Sequence, residues 1–195
     1  MGLTIVSTSS ELPVSIDWVR EYLHGYPITQ QAVAEDMVRA AEQHVSDIFN
    51  QFITYRTIDE TFDAFPAGRE PLIVGRAPMA WDSPNTYVKY IDTDGTLQTL
   101  GTSLYTVDTA NRPGRIYPAY SEIWPTTREI ENAVTVRFKA GYATAAAIPS
   151  IHKLAIAKFA AQLYRDRETS TTGTIVTPDP AMTAIIAAQR DWGAF

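Results

Sequence analysis

The sequence has no cysteine and only three histidines among its 195 residues. Lack of cysteine excludes a disulfide framework and any thiolate metal site, and it is compatible with assembly in a reducing cytoplasm. His24, His44 and His152 fall in no metal-binding spacing such as H-E-x-x-H, so surface or core-edge roles are expected for them. Basic runs are missing too: 16 Lys and Arg face 22 Asp and Glu, for a net charge of −6. A chain that grips phosphate backbones concentrates cations, so affinity for DNA is not expected, whereas tolerance of DNA passing close by suits an acidic surface. No apolar run approaches the roughly 18 residues of a membrane span. The stretch Ala143 to Ala147 is too short, and Pro149 soon follows it. Met1 to Ser10 has neither the basic segment nor the apolar core of a signal peptide. A soluble, intracellular protein with no membrane partner is expected.

Chemical motifs are equally scarce. Gly68, Gly75, Gly101 and Gly114 form no phosphate-cradling pattern, and there is no G-x-S-x-G elbow. Asp92-Thr93-Asp94-Gly95 begins like a calcium loop but lacks the further ligands and the distal Glu that a hard cation needs. Strand-like residues flank it, so it reads as a hairpin turn, with Asp94 and Gly95 supplying the positive φ. No enzyme, cofactor or metal is expected.

What is present is a clear order of elements. Ser15 opens a short helical pattern with Ile16, Val19 and Leu23 on one face, and Gly25 is its stop. From Thr29 an amphipathic helix carries Val33, Met37, Ala41, Val45, Ile48 and Phe52, with Glu35, Asp36, Arg39, Glu42 and Asp47 placed elsewhere. The period then changes to that of strands: Tyr55 to Phe62, Leu72 to Val74, the hairpin Tyr87–Ile91 with Leu97–Leu100, Leu104–Val107 and Arg115–Tyr117. Val134, Val136 and Phe138 alternate with Thr135, Arg137 and Lys139 in a half-buried strand. Helical spacing returns after Pro149, with Ile151, Ala155, Phe159 and Leu163 as its stripe. A polar linker, Thr169 to Thr177, precedes a final helical pattern carrying Met182, Ile185, Ile186 and Trp192. The expected class is α+β. A small helical bundle (1–52 and 148–168) would carry an inserted antiparallel β-rich region (53–147) and a C-terminal helical extension (169–195).

Several segments, in order, resemble the head–tail connector (adaptor) family of long-tailed phages and gene transfer agents. They are Glu42 to Phe52 running into a strand; Tyr90 to Leu100, followed by Tyr105 to Asp108 and Arg115 to Pro118; Trp124-Pro125 and Asn132 to Tyr142; and Ile148-Pro149 with the helix ending Leu163-Tyr164-Arg165-Asp166-Arg167-Glu168. The resemblance spans Pro13 to Glu168; beyond that it is one of character only. It implies a structural virion protein at the head–tail interface that forms a closed ring, commonly of about twelve copies. Its implied partners are itself, the portal protein, and a completion (stopper) or tail protein. DNA would pass through its channel without specific binding. The linker and the apolar stripe Met182, Ile185, Ile186 and Trp192 read as a helix that docks on the portal, as the C-terminal region of related adaptors looks to do, with a helix folded back onto its own bundle as the alternative. Two rivals are weighed beside it. A stopper or tail-terminator ring would be β-dominated, against the two long helices, and a β-domain binding module or enzyme would show an acidic or aromatic cleft.

Overall fold

The computed structural model describes residues 2–24, 27–75, 77–82 and 85–165, and the chain divides into two compact units. The fold is α+β, with three α-helices and antiparallel sheets among the described residues.

Among the described residues, the helical unit takes 10–54 and 142–165. Helix α1 (Ile16–Tyr22) starts where Ser15, in extended conformation, accepts a hydrogen bond from the Trp18 amide at 3.2 Å. Helix α2 (Gln31–Phe49) has no side-chain cap of its own at Gln30. Its entry is held from the third helix instead: the N–H groups of Thr29 and of the cap residue Gln30 donate to the Tyr164 hydroxyl at 3.1 and 3.4 Å. Asn50 then ends α2 in the left-handed conformation, φ 54°. Helix α3 (Ser150–Arg165) follows Pro149. Val19, Ala34, Val38, Ala41, Val45, Phe49, Ile156, Ala160 and Tyr164 form the centre of one apolar core.

The phases of both long helices differ from the sequence reading. On α2 the buried row is Ala34, Val38, Ala41, Val45 and Phe49, while Val33, Met37 and Ile48 lie at its flank. On α3 it is His152, Ala155, Ile156, Ala160 and Tyr164, while Leu163 is 40% exposed. Both shifts are by about one residue: Ala34 and Ala160 join the buried rows, where small side chains let helices approach closely, beside Val38, Phe49, Ile156 and Tyr164. Glu42 is buried as well, since its carboxylate accepts from Ser46 Oγ at 3.2 Å, Thr54 N at 3.3 Å and Thr54 Oγ1 at 3.0 Å.

The β unit holds residues 2–9 and Tyr55–Gly141. Its large sheet has the order β1 (Gly2–Thr8), β2 (Arg56–Phe62), β9 (Val134–Ala140), β5 (Tyr87–Ile91), β6 (Leu97–Thr99), with β4 (Met79–Ala80) also paired to β9. A three-stranded sheet is ordered β3 (Leu72–Ile73), β8 (Arg115–Pro118), β7 (Tyr105–Asp108). Strand β9 shows why the large sheet is stable: Val134, Val136, Phe138 and Ala140 are fully buried and alternate with Thr135, Arg137 and Lys139. The two sheets are tied together by Gly114, whose Cβ position would lie 2.8 Å from Met79 Cβ, so that only glycine permits the approach.

Strand β1 was not anticipated, and it moves residues 2–9 from the expected helical part into the β unit. All seven of its residues are exposed, so the alternation that betrays a half-buried strand is blurred at Leu3, Ile5 and Val6. The C-terminal extension, 169–195, lies outside the described residues.

Candidate interaction surfaces

Among the described residues, no group of three or more His, Asp or Glu side chains could hold a metal ion. His44 is exposed and meets Phe159 edge-on at 4.9 Å, and His24 follows α1 at φ 48°. His152, expected near the surface, is buried at 2% exposure and packs against Phe49 at 4.8 Å and Tyr142 at 6.0 Å. No helix among the described residues is long and apolar enough to cross a membrane.

Glu60 is the carboxylate whose environment departs furthest from water. It points inward from β2 beside Ile58 and is fully buried. Burial pushes its pKa up to about 7, against the opposing effect of the Gly75 amide. That amide donates to both carboxylate oxygens, at 3.1 and 3.0 Å. The group therefore fastens the chain just past β3 onto β2, which is a structural task.

The outer face of the large sheet carries a polar ladder set by register. Asp59 of β2, Arg137 of β9 and Tyr87 of β5 lie in one row. Arg137 donates to Asp59 through two hydrogen bonds of 2.6 and 2.5 Å and lies 5.0 Å over the Tyr87 ring. Lys139 donates to Asp82 at 2.7 Å, and this bond both lowers the Asp82 pKa and raises that of the lysine. Lys89 sits 4.3 Å over Tyr87. Two of these three cations are thus held by carboxylates, an arrangement suited to a charge-balanced surface.

Asp94 and Gly95 lie in the turn between β5 and β6, where Gly95 alone of the pair takes the positive φ, at 87°. Its chemistry centres on Asp92, which the sequence reading did not single out. The Asp92 carboxylate accepts from the Asp94 and Thr96 amides at 3.1 and 2.8 Å and from Gln98 Nε2 at 2.8 Å. Met182, Ile185, Ile186 and Trp192 lie outside the described residues.

Two apolar surfaces stand out among the described residues, both missed in the sequence. One is a knob on the loop after β8, where Tyr120 is 94% and Ile123 70% exposed. The loop is firmly held. Ala119 N donates to Leu104 O at 2.9 Å, Arg69 donates to Ala119 O at 3.1 Å, and Glu122 N closes a turn onto Ala119 O at 3.0 Å. Beyond it, Trp124 stacks on Phe65 at 4.7 Å and donates through Nε1 to Glu70 O at 2.8 Å. Ser121 has a positive φ of 66°. The signal that could have found the knob is a Tyr and an Ile between Pro118 and Pro125, outside any strand pattern. The other surface is a groove between α2 and α3, about 470 Å³, lined by Ala40, Ala41, His44, Phe159, Gln162 and Leu163. Its signal was the small pair Ala40-Ala41 facing the surplus apolar Leu163.

Known proteins share this architecture. The chain is similar to a chain in the neck of an empty gene transfer agent (GTA) particle computed with C6 symmetry, at TM-score 0.74 and 20% identity. It is also similar to one in the virion of a native GTA particle (0.76, 18%) and to one in the neck of a native GTA particle computed with C12 symmetry (0.70, 19%). Each match covers 100% of this chain and 98% of the other. At these identities the likeness is one of fold. No family model matches the chain, and no curated protein does.

Proposed function

We propose that this chain is a structural subunit of the neck of a tailed-phage-like particle, an adaptor that joins the head to the tail and catalyses nothing. Copies form a closed ring, of about twelve by the family resemblance, beneath the portal. The ring extends the DNA channel and carries the next completion or tail protein. The observation that supports this best is the fold likeness to GTA neck and virion chains over the full length of this one. The exposed Tyr120–Ile123 knob and the α2–α3 groove agree with it, being apolar and suited to protein contacts. In this reading the net charge of −6 lets DNA slide past without adhesion, and Met182, Ile185, Ile186 and Trp192 hold the portal.

Native mass spectrometry and negative-stain imaging of the chain, alone and mixed with its portal, test the proposal. Rings stacked on the portal are the expected result; a chain that stays monomeric and never joins the portal overturns it. Deleting 178–195 should abolish joining while leaving the melting temperature nearly unchanged, whereas a much lower melting temperature or aggregation would show that this segment belongs to the subunit's core.

A further inference from the structure

A ring closed by rotation requires two different surfaces on each subunit, one to present and one to receive. This chain has a convex and a concave apolar feature of matching chemistry. We propose that the Tyr120–Ile123 knob of one copy seats in the α2–α3 groove of the next copy. The proposal rests on the adaptor reading above and names the contact that would close its ring.

The knob has the properties of an interface anchor. Tyrosine brings a large contact area with few rotatable bonds and a polar tip, and it is enriched among residues that dominate binding. Leaving Tyr120 at 94% and Ile123 at 70% exposure on a loop pinned at both ends is a standing cost to the free subunit. So is the left-handed backbone of Ser121. Because the loop is already ordered, little further entropy is lost when it docks.

The groove supplies the complement. Ala40 and Ala41 leave room at the α2 side, and Phe159 and Leu163 make the apolar wall. His44 and Gln162 stand at the lining with groups able to hydrogen-bond a phenol. A second knob offers no cavity, so two knobs cannot satisfy each other. The groove of another copy can satisfy one.

The absence of cysteine makes the test direct. Full-length Ile123→Cys and Leu163→Cys chains are assembled on the portal under mild oxidation, separately and mixed. A disulfide-linked dimer in the mixture alone is expected. The double variant should give a ladder of covalent oligomers extending to the ring number. Equally strong linkage within the Ile123→Cys chain alone would mean a symmetric contact and would overturn the proposal. Rings that form without any 123–163 linkage would overturn it and leave the adaptor reading standing; neither rings nor linkage would sink both. Independently, Tyr120→Ser with Ile123→Ser should leave the melting temperature unchanged and weaken assembly about tenfold or more. Unchanged assembly in that variant would show that the groove receives something else, such as the chain's own 178–195 segment.

Discussion

At the scale of single residues, Glu60 sets a pH dependence whose sign follows from its burial. Its native pKa of about 7 lies above the ordinary 4.5. Below pH 4.5 the carboxyl is protonated in both folded and unfolded chains, and its contribution to stability is complete. As pH rises toward 7 the unfolded chain ionises first, so stability falls, by on the order of 3 kcal/mol once the native carboxyl is also ionised. Glu60→Gln keeps an acceptor for the Gly75 amide and removes the ionisation. Urea midpoints at pH 5 and pH 8 should therefore show the variant gaining on the natural chain at the higher pH, and parallel pH profiles would contradict the assignment. The hairpin turn offers a second contrast. Asp92→Ala removes the acceptor of three hydrogen bonds and should lower the urea midpoint, whereas Asp94→Ala, exposed, should barely move it. Gly95→Ala should cost more than about 1 kcal/mol, because φ 87° suits glycine and a Cβ there would overlap the Arg128 guanidinium.

At the scale of elements, the three helices and most strands were legible because their apolar periods are long or strict. Val134 to Phe138 alternates without a break, and Ser15 and Pro149 punctuate helix starts in the expected way. What the sequence hid was rotation about each helix axis. Ala34 and Ala160 look like neutral fillers and stand outside the expected stripes, yet both are buried in the core, at 1% and 0% exposure. Tyr164 was equally hidden, since nothing local says that its hydroxyl serves the start of a helix 134 residues earlier in the chain. Tyr164→Phe should cost about 1–2 kcal/mol by leaving the Thr29 and Gln30 amides without that acceptor, as read from thermal melting. Phe49→Ala should cost roughly 3–5 kcal/mol, and Leu163→Ala, at the groove, far less. Hydrogen exchange should rank the strands. The amides of β9, flanked by partners on both sides, should exchange slowest, and those of β1, an exposed edge, fastest.

At the scale of the whole molecule, the chain leaves the helical unit after Thr54 and re-enters it at Tyr142. The insertion is wider in sequence than its attachment is in space. Thr54 and Tyr142 form a parallel bridge, and Tyr142 N donates to Ile53 O at 2.9 Å. Two chain ends a strand spacing apart, about 5 Å, can be joined by a short loop at small entropic cost. The helical unit also has its own core, running from Val14 through Phe49 and Ile53 to Tyr164, and its buried Glu42 is satisfied within the unit by Ser46 and Thr54. The sequence reading placed the insertion at 53–147; the compact β unit holds Tyr55–Gly141 together with the strand at the front, which pairs with β2. A chain beginning at residue 10, with 55–141 replaced by a short Gly/Ser linker, should therefore fold by itself. Circular dichroism should show the helix content of α1, α2 and α3, and the melt should be single and cooperative. A broad, non-cooperative melt, or exposed apolar surface detected by dye binding, would show that the helices need the β unit to order their core, and that the two units are one folding domain.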